Sequence, residues 1–565
     1  MKQTLNTRAA FVINPKHYPF GFVLHVILDF SGDECCENII GATYEACEDM
    51  TTSLGETDID ISITTDSTQE DYLYGVFLAL AFDILVIAVS LIVSAHGFDY
   101  EKEFKESFES QDLQNTELPQ NREAVQEDHM NANDFKRLGI EINKEYAHRL
   151  RTNITFADLC GDVHEEDNQE HMQVIIILSV FYAVPTIQVV IWDSMFYSKS
   201  GLQDMCYYNF LCLRPLASIT AFNNVFSNIS YCLYSLLFIC LVRLKKNRWH
   251  QFVQKFDFFD SVKFGTTRDY SLCYGLGIAL LMEGIMSASY HVCPSNIYFQ
   301  FDTTYMYLIG ILMLAKLYEN RHPDTNFGGT KTAILLGSLL FFEFISFYEN
   351  RASFWIIFCV CYIAVIVVNT PQLYSLNALK HDKNIICSFF KLLVFDIRRS
   401  FSSHQQSKMQ ITSTKIRILF TLIFLIFNIS HAIFILSTLF TGPDDYASTH
   451  LLHIILSNLA IYTVFYIIMK LVYKEYLVMS CKLYLLASII LMSASLYFFC
   501  NSPKNQDGSP AASREHNEEC ILFNFYDSHD LWHFLSAGGI FTFYMALLNI
   551  DEDLVFKDRK KIPIF

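Results

Sequence analysis

From about residue 72 onward the chain is a succession of long apolar runs separated by short polar intervals. The runs cover about 72–96, 173–193, 224–243, 271–291, 301–318, 331–347, 353–374, 415–438, 449–470, 480–500 and 530–549. Each has the length, about 17–25 residues, that a helix needs to cross a hydrocarbon core about 30 Å thick. The pattern predicts a mainly α protein, a polytopic membrane helix bundle of about eleven transmembrane helices. Two stretches break it. Residues 1–71 carry short β-prone runs, Phe11-Val12-Ile13 and Val23 to Leu28, and an alternation at Ile59, Ile61 and Ile63. They read as an extracellular or luminal β-rich remnant, too short for a full sandwich. Residues 97–171 are polar, with Glu101-Lys102-Glu103 and Glu165-Glu166-Asp167, and read as a cytoplasmic loop that is disordered or loosely helical. The expected organisation is therefore the remnant at 1–71, a first transmembrane helix at 72–96, the polar loop at 97–171, a ten-helix bundle at 172–550 and a cytoplasmic tail at 551–565.

Charge orients the bundle. The 244–269 interval holds Lys245, Lys246, Arg248, Lys255, Lys263 and Arg268, and the 375–414 interval holds Lys380, Lys383, Lys391, Arg398, Arg399 and Lys408. Both are cytoplasmic by the positive-inside rule, and the acidic Gly442-Pro443-Asp444-Asp445 lies outside. This places the N-terminus outside or luminal and the C-terminus in the cytoplasm, in the plasma membrane or a lysosomal or endosomal membrane. Met1 to Ala10 is polar with no apolar run behind it. The first membrane segment is therefore expected to act as its own insertion signal, or the true start lies upstream. Composition agrees: 52% of residues are hydrophobic and 18% charged, below the quarter usual for soluble domains. The net charge of −18 argues against direct binding of nucleic acid.

Protonatable side chains are expensive at membrane depth, so the few that occur there need a partner or a task. His291 ends the fourth run, Asp302 begins the fifth, and His529 and His533 begin the last. The alternation of loops puts all four near the outer face. His529 and His533 are four residues apart, one above the other on a helix face, which is a metal-chelating spacing. A zinc ion, Zn2+, on His291, His529 and His533 would leave a fourth position open, as catalytic sites do. Asp302 is then either the fourth ligand or a base for the reacting water. Ser287, one turn before His291, is a candidate to stabilise an oxyanion or to bond Asp302. Glu283, one turn further, is a candidate to orient a ligand from behind. The alternative for each is plain helix packing: Ser287 as a small residue at a helix contact, and Glu283, Asp83 and Glu343 as partners within the bundle.

The chain has 16 cysteines. Those inside apolar runs, such as Cys232, Cys240, Cys359 and Cys361, read as small buried side chains. Cys35, Cys36 and Cys47 are open between a disulfide and free thiols. Cys206 and Cys212 bracket a short outer segment, and Cys500 and Cys520 flank the last outer loop; each pair is a candidate disulfide, with Cys293 as an alternative partner.

Several words in the sequence carry a family likeness. Asp204 to Cys212, Arg214-Pro215-Leu216 and Ala221 to Asn224 form the first of them. Tyr290 to Pro294, Phe299 to Thr303, Arg321-His322-Pro323-Asp324, Ser513 to Asn517 and Ser528 to Ser536 follow in order. Over about residues 70–565 the chain resembles the systemic RNA interference defective transmembrane family. The resemblance implies an eleven-span fold, uptake of double-stranded RNA and, in some members, association with sterol. The set Ser287, His291, Asp302, His529 and His533 is also similar to that of a wider superfamily of membrane hydrolases, which includes alkaline ceramidases and adiponectin receptors. There the matching positions hold zinc and assist amide or ester cleavage.

One departure bears on function. The family carries a large extracellular region of two β-rich domains, implicated in binding RNA, where this chain has about seventy residues. In them Lys2, Arg8 and Lys16 face more than ten Asp and Glu. The expected role is a membrane protein of double-stranded RNA uptake that gains its RNA-binding face from elsewhere. A zinc-dependent lipid hydrolase and a cholesterol-binding protein are the alternatives. Double-stranded RNA, a membrane lipid or sterol, and a second copy of the chain in a homodimer are the partners to look for.

Overall fold

The computed structural model describes residues 68–107, 154–160, 170–200, 202–256, 263–295, 298–324, a few positions between 333 and 345, 352–376, 383–401, 408–441, 447–501 and 509–565. The long helices are numbered here α1 (Gln69–Ala95), α2 (Glu170–Ser200), α3 (Ile229–Lys255), α4 (Ser271–Val292), α5 (Phe299–Glu319), α6 (Ala352–Leu376), α7 (Lys383–Phe401), α8 (Lys408–Thr441), α9 (Ala447–Val472), α10 (Met479–Asn501) and α11 (Ser528–Asn549). Among the described residues, nine helices are long and apolar enough to cross a membrane. To these is added α5, less apolar and buried on most of its surface. The run expected at 331–347 falls largely outside the described residues, as does the β-rich remnant with Cys35, Cys36 and Cys47. The protein is an integral, polytopic helical membrane protein.

Burial sorts the helices. In α4 and α11, 72% and 78% of the apolar window is covered by protein, against 17% in α1 and α10. The first two therefore form the centre, and the second two face lipid. α4 packs on α2, α3 and α5, and α11 packs on α3 and α10. Close approach needs small residues, because lipid tails are as apolar as leucine and offer no hydrophobic gain. A Cβ on Gly284 of α4 would lie 2.9 Å from Tyr231 and 2.8 Å from Cys232 of α3. One on Gly539 of α11 would meet Met492 of α10 at 2.5 Å. A second group, α6, α8 and α9, is joined by polar contacts. The amides of Asn428 and Asn458 bond each other at 3.0 Å both ways, and Tyr362 donates to Asn428 Oδ1. In hydrocarbon such reciprocal bonds have no water to compete with them.

Both ends of the polar 97–171 segment are helical and packed, which corrects the expectation of a disordered or loosely helical loop for those parts. Tyr100 and Phe104 join Trp249, Phe252 and Phe556 in an aromatic cluster. Arg268 lies over the Trp249 ring at 4.1 Å. The short helix Phe156–Cys160 packs on Leu554, Ile562 and Ile564. Residues 108–153 and 161–169 lie outside the described residues. The 551–565 segment, expected as a simple tail, is instead built into this end of the bundle. Gly265 N–H donates to Lys557, and its φ of +70° and its 2.8 Å Cβ approach to the Val555 carbonyl both call for glycine there.

A buried ion network closes the same end. Arg321, in the turn after α5, reaches Glu475 at 2.5 Å and Asp551 at 2.9 Å. Lys470 of α9 reaches Asp551 at 2.8 Å and Asp553 at 2.7 Å. Phe565 covers the Arg321 guanidinium at 4.7 Å. Burial alone would lower the Arg321 pKa, but Asp551, Tyr466 and Glu475 outweigh it and hold it well above the usual guanidinium range. This gives work to the Arg321-His322-Pro323-Asp324 word that the sequence alone left without a role. Replacing Arg321 with Met removes the buried cation that Glu475 and Asp551 share and leaves an excess of negative charge in a dry site, so we expect a loss of about 3–5 kcal/mol of stability. Lys557→Met removes a partner of Glu475 that is 30% exposed, and should cost no more than about 1 kcal/mol. Thermal unfolding of the two variants in detergent checks this; equal melting temperatures would remove the network from the account of stability.

Candidate metal centre

The centre is set by where two helices begin and end. At the start of α11, Asp527 caps the helix: its side chain accepts from Asp530 N–H, and the Asp530 carboxylate accepts from Asp527 N–H. Two acids at a helix N-terminus also match the dipole. The cap starts the helix at Ser528, so His529 and His533 stand one turn apart on its first two turns. His291 sits in the last turn of α4, which ends at Val292. The three imidazoles meet there. One ring nitrogen of each lies within 4.8 Å of the others. His291 Nε2 and His529 Nε2 are 3.2 Å apart. Two nitrogens about 2.0–2.1 Å from one tetrahedral zinc sit about 3.3 Å from each other.

The hydrogen bonds fix which nitrogen of His533 is free. Ser227 Oγ donates to the Asn224 carbonyl at 2.8 Å, so its hydroxyl hydrogen is used. It must therefore accept from His533 Nδ1–H, also at 2.8 Å. That leaves the His533 Nε2 lone pair bare, and Nε2 is fully buried with no hydrogen-bond partner. A buried imidazole nitrogen with a lone pair and no donor is what a metal site looks like in the absence of the ion. The donor set fits a borderline-soft divalent cation such as zinc.

Asp302, in the first turn of α5, stands at the edge of the cluster, against His529 and beside Ser287. It is not among the side chains whose ligand atoms gather within 4.8 Å. Asp302 Oδ1 is buried without a partner, as is Glu283 Oε2 deeper on α4. Glu283 lies within electrostatic reach of Asp302, Tyr231 and Tyr544. His529 is only partly buried, so the cluster opens on its side.

Sequence reasoning missed the residues behind the histidines. Asn223 Nδ2 donates to Asp530 at 3.0 Å and Asn224 Nδ2 to the same carboxylate at 3.1 Å. Asn209 donates to Asp527 at 3.2 Å. With Ser227 they tie the segment before α3 to the first turn of α11. The signal was present: Asn223 and Ser227, four residues apart, put two polar groups on one face just where an apolar span begins.

The disulfides replace the expected Cys206–Cys212 and Cys500–Cys520 pairings and take up Cys293, the alternative partner. Cys206 is joined to Cys293, and Cys212 to Cys520. Cys500, expected to pair with Cys520, is a free and exposed thiol. Both bridges start in the 206–212 segment. One ends two residues after His291; the other ends nine residues before His529. Tyr207 N–H also bonds the Pro294 carbonyl at 2.8 Å, and Tyr208 Oη bonds the Val292 carbonyl at 2.5 Å. Burial pushes the Tyr208 hydroxyl up, so it stays a donor. Arg514 pairs with Asp204 and lies over the Phe210 ring at 5.6 Å.

With the geometry in place, comparison with known proteins is informative. Residues 1–565 match the family described as dsRNA-gated channel SID-1. The chain is 36% identical over 393 residues to human SID1 transmembrane family member 1, an alignment covering 69% of this chain and 46% of that protein. It is 37% identical over 400 residues to the rat protein of the same name, with the same shares covered. It is 28% identical over 573 residues to cholesterol uptake protein 1 of Caenorhabditis elegans, covering 100% of this chain and 73% of that protein. The chain thus spans about half the length of the mammalian relatives it matches.

Peptide mapping of the unreduced protein should recover linked fragments for Cys206 with Cys293 and Cys212 with Cys520. A fragment joining Cys206 to Cys212, or Cys500 to Cys520, would contradict the arrangement.

Proposed function

The chain belongs to the SID-1 family of double-stranded-RNA-gated channels, and from that membership we propose that it serves the passage of double-stranded RNA across a membrane. The match along residues 1–565 carries this reading. The RNA-binding face comes from a partner rather than from this acidic chain, because phosphate is bound by Lys and Arg and this chain is −18. The histidine end lies outside or in the lumen. Both disulfides are at that end, where thiols stay oxidised, and the basic intervals are at the other. A plasma or endosomal membrane fits both observations.

His291, His529 and His533 hold a zinc ion in this reading, with Ser227 fixing the tautomer of His533. Bound zinc would supply a Lewis acid with a position left for an oxygen ligand. Asp302 and Ser287, side by side and buried, favour a second reading in which the same centre cleaves a lipid ester or amide: Asp302 would take a proton from water, and Ser287 would donate to the developing oxyanion. The likeness to cholesterol uptake protein 1 over the whole chain favours a sterol or other membrane lipid as a ligand. The exposed apolar faces of α1 and α2 are available to such a lipid or to a second copy of the chain.

Two measurements test these readings. Metal analysis of the purified chain should find about one zinc per polypeptide, and His533→Ala should reduce it to background. Ser227→Ala should bind zinc about 10–100-fold more weakly. Zinc content unchanged by His533→Ala would sink the centre. In cells, this chain alone should take up labelled double-stranded RNA weakly, and strongly once a basic RNA-binding region or partner is supplied; uptake that never exceeds untransfected cells would overturn the transport reading. Release of fatty acid from ceramide or phospholipid, lost in Ser287→Ala, would select the hydrolase instead.

A further inference from the structure

α7 differs from every other long helix. It joins α6 to α8 at the end opposite the histidines, and it is strongly amphipathic rather than uniformly apolar. It has four basic residues, Lys383, Lys391, Arg398 and Arg399, against one acid, Asp396, in a chain whose net charge is −18. Asp396 is occupied: it accepts from Tyr374 of α6 at 2.8 Å.

At 100° per residue the helix has three sides. Phe389, Leu392 and Ser400 lie on one and are buried against α6 and α8, with Phe389 packed edge-on to Tyr374 at 5.6 Å. Phe390 and Val394, one turn apart, lie about 100° round from it. They are 74% and 46% exposed. Lys391 and Arg398, two turns apart, lie about 80° further round and are exposed as well. A helix of a water-facing loop has no reason to show a large aromatic side chain beside two cations. A membrane-spanning helix has no room for the cations. A helix lying in the plane of the interface needs both: an apolar face in the acyl region and a basic edge at the level of the phosphates.

We infer that α7 is an interfacial helix that binds anionic lipid, with Phe390 and Val394 inserted into the leaflet at this end and Lys391 and Arg398 on the headgroup phosphates. The charge selects the occupant. Two exposed cations adjoining an apolar face complement a phosphate attached to an acyl chain. Each basic side chain near such a surface adds about fivefold to the preference for anionic over zwitterionic lipid. The helix would pin the ends of α6 and α8 at a fixed depth, and would make the second helix group responsive to leaflet charge.

The full chain carrying Phe390→Trp is reconstituted in vesicles of phosphatidylcholine with phosphatidylserine, one lipid or the other brominated on its acyl chain. Tryptophan quenching is read against the wild-type chain. The phosphatidylserine form should quench several-fold more per molecule than the phosphatidylcholine form. Lys391→Gln with Arg398→Gln should bring the two together, and Lys391→Arg with Arg398→Lys should keep them apart. Inorganic phosphate should not compete. Val394→Trp is the second reporter if Phe390→Trp does not fold. Equal quenching by the two lipids would overturn the selectivity. No quenching by either, as when a protein or a second copy covers the face, would overturn the site, and so would loss of selectivity on adding phosphate.

Discussion

A polar side chain inside a bilayer has no water to turn to, and that one constraint accounts for most of what this protein does with its ionisable residues. At the histidine end three imidazoles converge, and one of them is left with a bare, buried nitrogen. The rest of that end is arranged to hold them there. The Asp527 and Asp530 cap starts α11 at the right residue, and Asn223 and Asn224 fix the cap to the segment before α3. Two disulfides from one short segment reach the end of α4 and the approach to α11. Side chains that approach one another from distant parts of the chain lose much entropy on meeting, and covalent bridges beside the site reduce what must be lost at the site itself.

The opposite end solves the same problem with ions. Arg321, Lys470 and Lys557 neutralise Glu475, Asp551 and Asp553 beside Phe565. The aromatic cluster of Tyr100, Phe104, Trp249, Phe252 and Phe556 shields the neighbouring Lys245–Glu552–Arg268 pairs. The two ends thus divide the work. One closes the bundle with fully paired charges. The other keeps buried atoms without a partner at Asp302 and His533, beside the partly exposed His529. Unsatisfied buried groups cost stability, so a bare His533 nitrogen facing two other imidazoles makes that place the candidate ligand site.

The chain belongs to the SID-1 family and spans about half the length of the mammalian relatives it matches. In the proposed role the helical region would form the membrane part of double-stranded RNA transport. Zinc would stabilise its outer mouth, and α7 would register its inner edge against the leaflet. These are separable roles, carried by groups at opposite ends.

The apolar runs by themselves point to a polytopic bundle of membrane helices, because backbone hydrogen bonds in hydrocarbon can only be made within a helix or a closed barrel. The Lys and Arg intervals set an orientation, and helix spacing put His529 above His533. Sequence could not pair the cysteines: Cys212 and Cys520 are 308 residues apart, and only the packing of the outer loops makes them neighbours. Nor could it see that Ser227 selects the His533 tautomer, that Arg321 anchors an ion network, or that the 551–565 segment is structural. Each depends on contacts between elements distant in the chain. Local pattern specifies an element, but which faces of those elements meet is decided by tertiary packing, and it is the meeting of faces that makes the site.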